Sequence, residues 1–287
     1  MTISQLRDLF VKSYRRWAEN DGPRMAASLA FYAILALAPM LLFAVAVGSQ
    51  FLDSGSLRET LLREARAQLG AGASDLFRSM LDSASRPGAS TVAGVVSIVL
   101  ALFGASGLFI QLRLSVNNIW GVGPRTGNPI REYLAARLLA VLMALAFMTV
   151  ILAWISLDSV VGYMRHLAGR GYVSWHLVSF VVSVAFLTGA FALTFKSFPR
   201  GMVAWRDVWL PAFLTAFAFA IAKYLLSLYF GLGGVGAAYG PAGALVVVLI
   251  WLYYSAQIFF FGVELTVSYA YSVGSHKEET IGELEMS

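Results

Sequence analysis

The sequence predicts an all-α polytopic membrane protein, a six-transmembrane-helix bundle with a periplasmic amphipathic helical hairpin inserted between its first two spans. Three observations carry that prediction. Of the 287 residues, 59% are hydrophobic and only 13% charged, and the apolar residues gather in long uncharged blocks instead of spreading as a soluble core would. The block from Ala242 to Val263 carries no charge; at about 1.5 Å per helical residue it is just long enough to cross a hydrocarbon core of about 30 Å. Residues 53–90 differ in kind, mixing Arg58, Glu59, Arg63, Glu64, Arg66, Arg78 and Asp82 with Leu57, Leu61, Leu69, Phe77 and Met80, the pattern of two amphipathic helices outside the lipid.

Taken in order, the chain begins with Ile3, Leu6, Phe10, Tyr14 and Trp17 at helical spacing among Arg7, Lys12, Arg15 and Arg16. That pattern predicts an amphipathic helix on a membrane surface, a cytoplasmic N-terminal element over residues 1–23. Asp21-Gly22-Pro23 breaks it, and the first span follows from about Met25 to Phe51 with Pro39 as an expected kink. This apolar run is too late and too long for the core of a cleavable signal. In the hairpin, Ser56 and Glu59 have capping-box spacing, and Gly70 to Ser74 separates the two helices. Further spans are predicted at Thr91–Leu112, Leu134–Leu157, Trp175–Phe195 and Val208–Tyr229, and a Gly-rich connection then leads from Val208–Tyr229 into the sixth and last span. Trp154, Trp175, Trp205 and Trp209 fall near span ends, as an aromatic belt would. The membrane domain therefore occupies 24–270, and an acidic tail with Glu278, Glu279, Glu283 and Glu285 occupies 271–287.

Counting basic residues on alternate sides of six spans puts twelve on the side of the N-terminus and seven on the other; Arg137 and Lys223, within spans, complete the 21. The bias predicts cytoplasmic termini. The net charge of +5 by itself says nothing about nucleic acid.

The last span carries a polar stripe. Tyr253, Gln257, Glu264 and Ser268 share one helical face, which serves either as hydrogen-bonding glue between helices or as the lining of a cavity. Glu264 lies about 33 Å along the span from Ala242, at the inner level of Arg24, Arg113 and Arg137, and pairing with Arg24 is the expectation. Lys223 lies about 22 Å from the start of its span, where a cation either snorkels or faces an anion. Gly22-Pro23 and Gly240-Pro241 flank the first and last spans as candidate hinges.

Catalytic patterns do not hold together. Gly104-Ala105-Ser106-Gly107 has the spacing used by rhomboid proteases, but such a serine needs a histidine at the same depth. His166, His176 and His276 are predicted elsewhere, so helix packing is the preferred reading of this motif. A two-metal nuclease needs clustered His and Asp ligands, which three scattered histidines do not supply. The absence of cysteine removes thiol chemistry, and no G-x-x-x-x-G-K-[ST] loop is present for ATP. No catalytic, cofactor-binding or metal residues and no nucleic-acid partner are expected.

AASLAFYAILALAPMLL at 26–42, LSVNNIWGV at 114–122 and YGPAGALVVVLIWLYYSAQIFFFGVEL at 239–265 together resemble the YihY/virulence factor BrkB family of bacterial inner-membrane proteins. The resemblance covers nearly the whole chain and is weakest in the hairpin. It implies a six-helix bundle, an old label as ribonuclease BN, and a role in envelope integrity or lipid export; it supplies no agreed substrate and no accepted catalytic residues. The expected function is transport or flipping of an anionic amphiphile or lipid, with Lys223, Tyr253 and Gln257 facing the substrate. The alternative is a non-transporting structural protein of the envelope.

Overall fold

The computed structural model describes residues 3–48, 54–84, 106–123, 175–199, 203–231 and 242–276, together with isolated positions between 134 and 153 and Tyr239. Every regular element among them is helical. We label them α1 (Ile3–Glu19), α2 (Gly22–Gly48), α3 (Ser54–Leu69), α4 (Ala71–Ala84), α5 (106–119), α6 (Trp175–Ser197), α7 (Trp205–Gly231) and α8 (Gly243–Ser272). Three of these are long and apolar enough to cross a membrane, over Leu177–Ser197, Trp205–Leu226 and Gly243–Ser272; a shorter apolar helix runs over Gly22–Ala38. The third predicted span, the Gly-rich connection and Gly240-Pro241 lie largely or wholly outside the described residues.

The final helix is the hub. α8 packs against α1, α2, α3, α4 and α7, and α6 packs on α7. Two apolar cores form along it. One joins Met25, Ala26 and Leu29 of α2, Phe109, Val116 and Ile119 of α5, Phe195 of α6, Val208 and Ala212 of α7, and Phe260, Val263 and Val267 of α8. The other joins Leu62, Ala65 and Leu69 of α3, Phe77 and Leu81 of α4, and Val247 and Val248 of α8, with Leu37, Leu41 and Val45 of α2 packed against it. α2 and α8 are thus antiparallel, with the hairpin gripping the end of α2 and the start of α8, while α1 lies at the opposite end. Lipid-soluble helices gain little from excluding water between them, so small residues and close approach must hold them. Gly262 provides this: a Cβ there would overlap Thr215 and come within 2.8 Å of Phe195 Cζ.

Several boundaries differ from expectation. α1 ends at Glu19 and α2 starts at Gly22, across Asp21 with φ 53°. α2 then continues as helix past Pro39 to Gly48. α3 already begins at Ser54, which places Ser56 inside the first turn, and the hairpin turn is Gly70 alone, with φ 88°, a conformation that favours glycine because it lacks Cβ. α5 runs to 119, so Asn117 and Asn118, expected in a connection, are helical. The hairpin docks on the bundle, is closed internally by an Arg58–Asp82 ion pair, and has Ser74 Oγ donating to Leu62 O at 3.1 Å.

Candidate functional site

Several hydroxyls among the described residues are satisfied by their own helix. Ser13 donates to Leu9 O at 2.8 Å, Thr188 to Val184 O at 2.7 Å, Thr194 to Ala190 O at 2.7 Å, Thr215 to Pro211 O at 2.7 Å, and Thr266 to Gly262 O at 2.9 Å. Such back-bonds let a polar side chain sit in an apolar setting without calling on a neighbour. Groups whose partners come from elsewhere in the chain are therefore the informative ones.

Glu264 is the first. It is fully buried, and its two oxygens accept from two side chains of the N-terminal segment: Arg16 Nε to Oε2 at 3.0 Å and Asn20 Nδ2 to Oε1 at 2.7 Å. Arg16 also donates through Nη2 to Ile119 O at 2.9 Å. One guanidinium therefore ties α1 to α8 and caps the last turn of α5, whose terminal carbonyls lack intrahelical donors. The expected Arg24–Glu264 pair is not formed. Arg24 instead bonds Asp21 at 2.7 Å and points outward, 82% exposed. The left-handed residue Asp21 folds α1 back beside α8, which brings Arg16 to the carboxylate and leaves Arg24 to its i−3 neighbour.

A second clasp closes the same end. Asp207, in the first turn of α7 and fully buried, accepts from Ser275 N at 3.1 Å and from Ser275 Oγ. Gly274 makes room, since a Cβ there would collide with the Asp207 carboxylate. His276 lies 3.1 Å from Ser275 Oγ and packs its ring against Trp120 and Tyr271. The first residues of the segment assigned to the tail, 271–276, therefore belong to the packed bundle. Ser275 bonds Asp207 through both its backbone N–H and its hydroxyl, so the trio straps the end of α8 to the start of α7. Trp17 Nε1, Trp120 Nε1 and Ser268 Oγ are buried at this end without hydrogen-bond partners among the described residues.

The hairpin half of α7 is built differently. Ala212, Ala216, Phe219 and Lys223 follow one another at i, i+4, i+7 and i+11, which places them in one row. Ala212 and Ala216 are fully buried, Phe219 is half-buried against Phe191 and Trp251, and Lys223 is exposed. The outward stripe of this half, with Ile221, Tyr224, Leu225 and Leu228, lies on a different face. Lys223 therefore stands where the bundle-facing row opens.

The other expected residues are scattered along the bundle. Tyr253 is half-buried against the larger core and edge-on to Tyr254, and Gln257 is half-buried. Thr215 stands beside Gly262 and Phe219 touches Trp251, so Lys223 is nearer the hairpin than Gln257 is. Gly22 is buried beneath the Trp17 indole, which a Cβ would overlap, and Pro23 is exposed. Ser106 is the first described residue of α5 and His276 packs beyond the far end of that helix, about 20 Å of helix apart. Gly107 serves packing, for a Cβ there would lie 3.2 Å from Tyr32 Cδ1. Among the described residues no group of three or more His, Asp and Glu side chains could hold a metal.

Comparison with known proteins agrees with the helical membrane architecture. The chain is 28% identical over 255 residues to a UPF0761 membrane protein of Rhodospirillum centenum, covering 88% of this chain and 55% of that one. It is 27% identical over 275 residues to a UPF0761 membrane protein of Janthinobacterium, covering 93% and 61%, and 26% identical over 286 residues to one of Alteromonas mediterranea, covering 96% and 92%. The chain thus spans little more than half the length of the first two relatives. No solved structure matches it significantly. The profile described as Virulence factor BrkB matches residues 13–283, nearly the full length and both clasps, and the chain belongs to that family.

Proposed function

We propose that this membrane protein moves an anionic amphiphile of the cell envelope across or along the inner membrane, engaging the headgroup with Lys223 at the hairpin half of the bundle. The observation that carries the reading is the row Ala212, Ala216, Phe219, Lys223, which passes from fully buried to exposed. A cation in an apolar span costs about 2.5–3.5 kcal/mol on insertion scales, a cost that an anionic headgroup offsets. The α1 end, with two clasps and Gly262 against Phe195, supports a fixed base about which the other half works. In this reading the hairpin is periplasmic, and Lys223 meets its ligand from the outer leaflet.

The rival reading, a non-transporting structural protein of the envelope, draws its support from the same clasps, which hold the helix ends without needing a ligand. A reconstituted flipping assay with fluorescent phosphatidylglycerol separates the two. Lys223→Gln abolishes movement and Lys223→Arg keeps part of it, both eluting from size exclusion as the wild type does. Wild-type rates for Lys223→Gln would remove Lys223 from the mechanism.

A further inference from the structure

α1 is a three-sided helix. One side packs on the bundle through Leu9 and Ser13, both buried, with Leu6, Arg16 and Trp17 half-buried beside them. A second side is polar, with Asp8, Lys12, Arg15 and Glu19 exposed. The third side carries Phe10, Val11 and Tyr14, which are 37%, 48% and 61% exposed, and Arg7 stands among them. An amphipathic helix docked only on protein would need two sides, apolar and polar. The third, apolar and aromatic, has no ring contact with the rest of the bundle among the described residues beyond Phe10–Phe261 at 6.3 Å.

We propose that this side is a membrane contact: α1 lies in the headgroup plane of the leaflet at its end of the bundle and binds anionic lipid there. Depth argues for it. α8 has 30 residues, about 45 Å of helix against a core of about 30 Å, so its final turns rise to headgroup level. α1 packs just below those turns, through Phe261 and Glu264, the latter about 32 Å along α8 from Gly243 and so at the far boundary of the core. The start of α7, at the same end, presents Trp205 and Trp209, 49% and 52% exposed, their rings 6.3 Å apart on either side of exposed Arg206. Tryptophans mark the interface because an indole has an apolar body and a polar edge. Charge agrees: among the described residues, the exposed ionised side chains of this end are Arg7, Lys12, Arg15, Arg24 and Arg206 against Asp8, Glu19 and Asp21. Long basic side chains extend from such a helix to phosphate while their stems stay in the acyl boundary.

The chain has no cysteine, so spin labels at Val11→Cys, Lys12→Cys and Tyr14→Cys report cleanly in nanodiscs of phosphatidylcholine with and without phosphatidylglycerol. Labels at 11 and 14 are expected to collide more with oxygen than with a nickel chelate, and the label at 12 the reverse. Equal access to the chelate at all three positions overturns the lipid contact, as does spin–spin broadening at 14, the mark of a second copy on this side. Independently, the triple variant Arg7→Gln/Lys12→Gln/Arg15→Gln should lower the motionally restricted fraction of spin-labelled phosphatidylglycerol about two-fold toward that of phosphatidylcholine. An unchanged fraction overturns the anionic preference. None of the substituted residues holds Glu264, so the clasp remains as a folding control.

Discussion

Arg16→Ala tests the clasp most directly. It leaves a fully buried carboxylate with Asn20 as its remaining side-chain donor and strips Ile119 O of its guanidinium. Removing one partner of a fully buried pair costs about 3–5 kcal/mol. The Arg16 side chain is 38% exposed, so water screens part of that interaction, and the expected loss is about 2 kcal/mol. At about 2–4 °C per kcal/mol for chains approaching this length, the midpoint should fall by about 4–8 °C. The assay is thermal denaturation in detergent, monitored by size exclusion, for Arg16→Ala, Glu264→Gln and the double variant. Glu264→Gln removes the charge but keeps one acceptor and costs less. The double variant should lose less than the sum, with a coupling energy of about 1 kcal/mol or more. Arg16→Lys should recover only part of the loss, because a point ammonium cannot serve Glu264 and Ile119 O with the geometry of a planar fork. If the single losses add within about 0.5 kcal/mol, the two residues do not act as a pair and the reasoning is refuted.

Three further outcomes follow from the packing and the connectivity. Gly262→Ala should lower stability by about 1–3 kcal/mol, read in the same denaturation assay, because the new methyl meets Thr215 and Phe195. Asp207→Ala should free the segment around Ser275 and raise proteolysis there, while leaving the hairpin protected, since the hairpin belongs to a separate core. Topology is read by cysteine labelling: Ser79 and Val273 are both exposed, whereas Ser74 is buried, so Ser79→Cys should react with an impermeant reagent in intact cells and Val273→Cys should not. The reverse pattern would invert the orientation drawn from the basic residues.

Much of this architecture was legible because lipid imposes a simple code. A long uncharged run must be helix, as every backbone group needs an internal partner there, and α6, α7 and α8 all appear where the sequence placed spans. The need of Glu264 for a guanidinium was legible for the same reason. Which guanidinium was not, because that depends on how α1 folds back across Asp21, a single left-handed residue that hydrophobic periodicity does not record. A signal was present nevertheless: Ser13, Arg16 and Asn20, at i, i+3 and i+7, extend the stripe of Leu6 and Leu9 with polar groups. A polar continuation of a docking face asks for a polar partner, and α8 offers a single charged residue, Glu264. The Asp207–Ser275 strap had no comparable signal, since it joins a first-turn carboxylate to a residue beyond α8 and 68 positions away.

The two kinds of polar residue in these spans are thereby distinguished by where their partners lie. A threonine that bonds its own i−4 carbonyl asks nothing of the fold, whereas Glu264 obliges α1, α5 and α8 to meet at one point. Lys223 stands at the other limit, an exposed cation on the row that leaves the packed core, in no ion pair among the described residues. Closure at one end and an exposed charge at the other are what a bundle needs if helices are to move about a fixed base. In such an arrangement Arg16→Ala should act on stability before activity, and Lys223→Gln on activity before stability. A structural protein of the envelope would show only the first effect.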